Sequence, residues 1–179
     1  VLPEPKSPCI PKIWKYDDIR KDILKAGDII STEEAERRVL ILENPGLLGT
    51  SRITLSLYAG MQLILPGETA RNHRHTQTAL RFVLEGSSAY TTVEGEKTTM
   101  HRGDFIITPP WGWHEHGNNG DQPTIWLDGL DIPIVQFLDT SFAEHYDKNV
   151  EQPPPKPEGD AIARYGSGLA PIDNFSASA

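Results

Sequence analysis

The 179-residue chain is poor in sulfur, with one cysteine, Cys9, and two methionines. A lone cysteine excludes an internal disulfide, so the chain reads as a protein of the reducing cytoplasm. It also leaves little soft ligation for a metal. Positive charge is scarce too: 17 Lys and Arg stand against 25 Asp and Glu, a net charge of −8. With a pI near 5.2 this argues against a nucleic-acid partner. No run reaches the roughly 18 apolar residues of a membrane span, so no membrane partner is expected either. Neither a signal peptide nor an internal repeat is read. The chain opens on Val1 and not on Met, which leaves open a natural amino terminus further upstream.

Turn formers, by contrast, are abundant, with 15 Gly and 15 Pro. They favour a turn-rich, mostly β domain. Residues 1–46 read as a Pro-rich extended arm followed by two helices. The first spans Tyr16 to Gly27, with acids in its first turn, Ile19, Ile23 and Leu24 on one stripe, and Gly27 as a stop. The second starts at a Ser31 or Thr32 cap and runs to Arg38. Residues 47–147 carry short runs of period two. Strands are predicted at Ile53 to Leu57, Met61 to Leu65, Leu80 to Leu84, Ala89 to Val93, Lys97 to Met100, Phe105 to Thr108, Thr124 to Leu127 and Ile134 to Leu138. Gly-containing turns separate them, which suggests a sandwich or barrel. Residues 148–179 read as a stiff Pro-rich linker and a tail that is extended or poorly ordered toward Asn174 to Ala179.

Chemistry concentrates in the histidines. Residues two apart on a strand point to one face, so His73 and His75 of His73-Arg74-His75 aim two imidazoles at one point. Another strand supplies His114. Each segment sits in its own Gly/Pro frame, Gly67 before the first pair and Gly103 to Pro109 before the third. These resemble the two halves of a cupin signature. The bland alternative, solvated strand histidines and one core histidine, suits a lone His better than this set. The carboxylate that usually follows such an HxH pair is absent: Thr78, Ala79 and Leu80 occupy its place. Neutral imidazoles alone leave a divalent ion its full charge, which suits a dianionic bidentate ligand such as an ortho-hydroxy carboxylate. On affinity grounds the donor set fits Fe(II), Zn, Cu or Ni alike.

The surroundings supply further candidates. Continuing from His75, the same face carries Gln77, Ala79 and Arg81, and an inward Arg81 grips a carboxylate. Tyr58, Gly60, Gln62 and Ile64 share a face; Gln62 is either buried and hydrogen-bonded or on a lumen wall, and Tyr58 either lines the pocket or is a core aromatic. His116 shares parity with His114 and reads as a general base for a phenol proton or a partner behind the ligands. Asp128 is expected to orient a histidine N–H. His101 and His145 read as exposed, Trp111 and Trp113 as core or rim.

The stretch from Leu57 to Glu68, His73 to Gln77, Leu80-Arg81-Phe82, Thr98 to Pro109 and Trp113 to Asp131 resembles the gentisate 1,2-dioxygenase family of cupins. So do Glu36 to Leu40 and Glu43-Asn44-Pro45-Gly46. The resemblance runs from about Leu2 to Asp147. It implies an all-β cupin, a double-stranded β-helix or jelly-roll barrel. It implies Fe(II) on His73, His75 and His114, and cleavage by O2 of the ring bond between the carboxyl- and hydroxyl-bearing carbons. Gentisate would give maleylpyruvate; salicylate and 1-hydroxy-2-naphthoate are alternatives. Arg81 carries over as a carboxylate anchor, Gln62 and His116 as neighbours of the substrate, Asp128 and Arg37 as further site residues, and Tyr58 with Gly60 as pocket. Tyr58 is similar to the gentisate form, where some salicylate-cleaving relatives have Trp. Family members are bicupins of about twice this length, and the likeness is to the N-terminal cupin, so the chain reads as a fragment or a stand-alone half. A homo-oligomer, tetramer or dimer, is implied. A non-catalytic cupin that binds a small aromatic hydroxy acid is the competing reading; a sugar-phosphate isomerase is disfavoured because the pocket candidates lack a Lys or second Arg within the strands to hold a phosphate.

Overall fold

The computed structural model describes residues 3–147 and 149–169. Two antiparallel five-stranded sheets face each other. One runs β1 (Val39–Ile41), β2 (Tyr58–Ile64), β9 (Thr124–Leu130), β4 (Ala79–Glu85), β7 (Phe105–Thr108). The other runs β10 (Ala143–His145), β3 (Thr69–His75), β8 (His114–Asn118), β5 (Ala89–Val93), β6 (Glu96–Thr99). This is the cupin barrel that the sequence implies. No helix among the described residues is long and apolar enough to cross a membrane.

Alternation along the strands divides the apolar residues into two cores. The outer face of the first sheet presents Ala59, Met61 and Leu63 of β2 and Ile125 of β9. Helix α1 (Tyr16–Ile29) covers this face with Ile19 and Ile23. Burying each such side chain contributes roughly 1.5–3 kcal/mol. Gly27 does not stop the helix, which continues to Ile29. A Cβ at Gly27 would lie 3.0 Å from Leu63 Cδ2, so this glycine sets how closely helix and sheet approach. The second core, Ile64, Val83, Ala89, Met100 and Trp126, plugs one end of the barrel interior.

Toward the other end the inward residues turn polar, layer by layer. Gln62 and Val83 flank Trp126; Gly60 and Arg81 flank Asp128; Tyr58 and Ala79 flank Leu130. The same strands that close the core thus open into a site.

Several elements depart from expectation. The second helix, α2 (Thr32–Ala35), has the expected Ser31–Glu34 capping box but ends after one turn at Glu36, in left-handed φ of 55°. Val39 to Ile41 then pair with β2, because Arg38 is drawn inward: its Nη2 and Nη1 donate to Glu68 Oε1 and Oε2 at 2.6 and 3.0 Å, and its Nε to the Ile30 carbonyl at 2.8 Å. Ile53 to Leu57 form no strand. Ile134 to Leu138 belong to helix α3 (Ile132–Phe137), where Pro133 in the first turn suits a helix start and has no N–H to give a ladder. The apolar run alone does not tell the two apart.

The arm before Tyr16 forms neither helix nor strand among its described residues and is held by Asn44, whose side chain exchanges hydrogen bonds with the Ile10 N–H (2.9 Å) and carbonyl (3.0 Å). The Pro-rich segment is not free: the Lys156 N–H bonds the Gly95 carbonyl, and the Glu96 carboxylate accepts from Gly159 and Ala161, at 2.9 Å each. Helix α4 (Asp160–Tyr165) follows. The expectation for Asn174 to Ala179 lies outside the described residues.

Arg38 is 2% exposed and Glu68 is bound to it through both oxygens. Burial opposes ionisation of Glu68, but Arg38 and the Leu65 N–H outweigh it and hold the carboxyl below its usual range. Removing the cation strands that charge. Arg38→Met is expected to lower unfolding free energy by about 3 kcal/mol, read from the urea midpoint at neutral pH.

Candidate metal centre

His73 and His75 project inward from β3, and His114 opens β8 directly opposite His73. One ring nitrogen from each lies within 4.8 Å of the others. Ring centroids are 4.2 Å apart for His73 and His114, 4.8 Å for His75 and His114, and 5.2 Å for His73 and His75. The HxH parity and the third strand are as the sequence predicts. A bulge between Ala70 and His73 shifts the β3–β8 register just before the first histidine.

Backbone acceptors fix two of the rings. Nδ1 of His75 donates to the Gln77 carbonyl at 3.0 Å, and Nδ1 of His114 to the Gly112 carbonyl at 2.9 Å. A carbonyl only accepts, so both rings carry the proton on Nδ1 and leave Nε2 as a bare lone pair. Nε2 of His114 is buried with no partner. Burial, then the charge of Arg81, pushes the His114 pKa down to about 3. Burial, then Arg37, pushes His73 down to about 2. Neutral, convergent imidazoles with an orphaned lone pair fit a first-row divalent ion. His73 is not so preset: Arg37 donates to its Nδ1, which puts the neutral ring's proton on Nε2. Ligation of a neutral ring through Nε2 requires that proton to move to Nδ1, which displaces Arg37.

A cavity of about 250 Å³ opens onto the three rings. Arg37, Arg81, Tyr58, Gln62 and Asp128 form its polar wall; Val39, Ala79, Leu130 and Ile132 form the apolar one. Arg81 is 3% exposed. Its Nη1 donates to Thr108 Oγ1, and its Nε lies 3.5 Å from Asp128 Oδ1, an ion-pair separation without hydrogen-bond geometry. Burial raises the Asp128 carboxyl to about 6, against the pull of Arg81. Arg37 is lowered to about 10 by burial and by Arg81. The cavity therefore holds two guanidinium groups and one carboxylate, a balance that attracts an anion.

Three candidates sit differently from expectation, and His116 keeps only one of its two readings, the place behind the ligands. Asp128 touches no histidine; it accepts from Trp126 Nε1 at 3.0 Å and faces Arg81, because the β4–β9 register sets those two opposite each other. His116 is buried one layer behind the ligands, 6.0 Å from His114 and 5.4 Å from Trp126 by centroid, and neither of its nitrogens has a partner. It is not on the cavity wall. Gly60 is not on the wall either; a Cβ there would meet Val39 Cγ1 at 2.5 Å and the Tyr58 hydroxyl at 2.8 Å, so its bareness seats both. Arg37 reaches the site from the segment after α2, not from a helix. Gln62 and Tyr58 line the cavity, and His101 and His145 are exposed, as expected. Val39, Ile132 and Thr108 were not anticipated. The first two fall in elements whose type the sequence misleads on, and Thr108 is marked only by its pairing with Ala79 between β7 and β4. A larger cavity of about 420 Å³ lies elsewhere, between Trp113, Tyr146 and the proline segment, and contains none of the three ligands.

The fold is that of a cupin, and its three convergent imidazoles form a group able to hold a metal ion. Residues 60–130 match the cupin domain family. The chain is 57% identical over 173 residues to gentisate 1,2-dioxygenase 1 of Aquipseudomonas alcaligenes, covering 97% of this chain and 50% of that protein. It is 46% identical to a gentisate 1,2-dioxygenase of Ralstonia sp., covering 90% and 45%. The structure of salicylate 1,2-dioxygenase from Pseudoaminobacter salicylatoxidans solved with gentisate superposes with a TM-score of 0.82 at 39% identity, over 94% of this chain and 46% of that one. The chain belongs to the gentisate 1,2-dioxygenase family of cupins. It spans about half the length of the curated relatives it matches.

The buried histidines give a pH signature. His73, His75, His114 and His116 all have folded values below 6.5, with burial the leading cause. The unfolded chain therefore takes up protons that the folded chain refuses once pH falls below about 6.5. Stability conferred by these groups is complete above that pH and is lost on the way down toward the folded values. Between pH 6 and 4.5 the unfolding free energy is expected to fall by more than the ~1.4 kcal/mol per pH unit of a single proton. His116→Gln should remove one proton from that slope, measured by urea titrations across the range.

Proposed function

We propose that the chain carries the iron-binding, ring-cleaving centre of an Fe(II)-dependent dioxygenase acting on gentisate. The observation that carries this reading is the composition of the cavity: neutral imidazoles with no carboxylate in the donor set, beside the buried guanidinium of Arg81 and the half-buried one of Arg37. That donor set leaves a divalent ion uncompensated and invites a dianion, which a hydroxybenzoate with an ionised phenol supplies. His73, His75 and His114 would hold Fe(II). When bound, the metal supplies Lewis acidity toward the carboxylate–phenolate pair and redox access to O2.

The remaining steps fall to the chain. Arg81, kept charged by Asp128 and aimed by Thr108, meets the substrate carboxylate bidentately. Arg37 offers its second charge once it leaves Nδ1 of His73. Tyr58 has its pKa pushed up to about 12 by burial and by Asp128, so it faces the cavity as a neutral phenol and pairs with the distal ring hydroxyl that gentisate has and salicylate lacks. Gln62 fixes the ring edge, while Val39, Leu130 and Ile132 exclude water from its apolar face. His116, neutral and unpartnered behind His114, takes the phenol proton only if the inner wall yields toward it. Both oxygen atoms enter the product, maleylpyruvate. Tyr58 favours this substrate over salicylate and 1-hydroxy-2-naphthoate, the alternatives within the family.

We place the working protein in the cytoplasm, in keeping with its lone Cys9, as a homo-oligomer. Reconstitution with Fe(II) in air should give gentisate-dependent O2 uptake and a ring-opened product, and a chelator should abolish it. Arg81→Met should cut kcat/KM about 10- to 100-fold through loss of charge-assisted hydrogen bonds. Tight binding of gentisate without O2 consumption would favour a non-catalytic aromatic-acid binder. No uptake with gentisate, salicylate or 1-hydroxy-2-naphthoate would overturn the assignment.

A further inference from the structure

The residue between the first two histidines faces the other way. Arg74 lies on the outer face of β3, and its Cζ sits 4.5 Å from the ring centroid of Trp111 and 4.5 Å from that of Trp113. Its Nε and Nη2 both donate to Glu144 Oε2, at 2.8 and 2.6 Å. Glu144 is on β10, directly opposite Arg74 in the β3–β10 register. The guanidinium plane is thus wedged between two indoles and pinned at its edge by a carboxylate.

Those indoles bracket the turn that delivers the third histidine. Gly112, between them, supplies the carbonyl that accepts from His114 Nδ1. The Trp111 N–H donates to the His75 carbonyl at 2.7 Å. Trp111 itself has φ of 62°, a left-handed conformation that a tryptophan keeps only when its surroundings hold it. Its ring packs on Phe142, 4.7 Å away, and Trp113 meets Tyr146 edge-on at 6.0 Å. An exposed ion pair by itself contributes little. Stacking on both walls of this turn is a different matter: it ties the backbone that aims His114 to the strand that carries His73 and His75.

We infer that Arg74 is a positioning residue for the three-imidazole centre, acting from the opposite face of the sheet through the Trp111–Trp113 turn. The inference rests on the metal reading above. Its role is to fix where His114 stands relative to His73 and His75, and so to set the ligand field and affinity of the bound ion. Lysine cannot replace it, because an ammonium has neither the plane to fill the gap between two indoles nor the fork to meet Glu144.

Cobalt(II) binding to the full chain tests this, since its visible bands report ligand geometry independently of catalysis. Arg74→Met and Arg74→Lys should each weaken cobalt(II) affinity about tenfold or more. At saturating cobalt(II) both should also shift the visible bands, with far-UV circular dichroism unchanged. Arg20→Met serves as the control. It breaks the Arg20–Glu85 ion pair between α1 and β4, which lies outside the site, and should leave the bands as in the wild type whatever it does to the melting temperature. If Arg74→Met fails to fold, Arg74→Lys decides. Wild-type bands and affinity in the Arg74 variants would overturn the inference, as would the same spectral change in Arg20→Met. Absence of cobalt(II) binding by the wild-type chain would overturn the metal reading and the inference with it.

Discussion

Pairing of His73 with His114 across β3 and β8 is the constraint on which the rest of the site depends. It places two imidazoles from distant parts of the chain on one spot, and period two along β3 adds His75 without further design. The other sheet is then committed as well. With Arg81 opposite Asp128 in the β4–β9 register, a cation stands on the facing wall at the depth of the histidines, and its counter-ion is supplied by the neighbouring strand. Register thus settles the chemistry: a slip by one residue on either sheet would turn the functional side chains out to the surface.

The cost of this arrangement is electrostatic. Four histidines, two arginines and an aspartate share the polar end of a barrel whose other end is plugged by Trp126, Ile64 and Val83. The histidines avoid the penalty by staying neutral. The arginines cannot, and only one has a carboxylate facing it. Asp128 is itself held near 6 by burial, so the site neutralises its own charge incompletely. The unbalanced charge is a standing demand for an anion, and the affinity such a site offers a carboxylate is the same free energy that its empty state lacks.

What the sequence reveals follows from how local each determinant is. The HxH parity, the third histidine in its Gly/Pro frame, the inward Arg81 and the alternation of Gln62 with apolar neighbours are all consequences of strand period, and they were legible. Val39 was not, because a capping box at Ser31 correctly starts a helix but says nothing of where Arg38 ends it; the ion pair to Glu68, thirty residues on, does that. Ile132 was hidden by an apolar run equally good as strand or helix. The role of Asp128 was misjudged because its partners, Arg81 across the sheet and Trp126 along its own strand, are a matter of register and rotamer, not of sequence spacing.

The same distinction explains why Arg74 passes unnoticed between two ligands. Read along the chain, it is an outward arginine on an edge-proximal strand, and such residues are usually solvated. Its meaning comes from the turn at Trp111, whose left-handed backbone brings an indole to each side of the guanidinium. One strand therefore serves the centre from both faces: His73 and His75 inward as donors, Arg74 outward as the strut that holds the turn carrying the third. On the donor side the three imidazoles open onto the cavity, with Arg37 against His73 and His116 behind His114. The turn that carries His114 is braced through the sheet as well, from a side chain of the opposite parity.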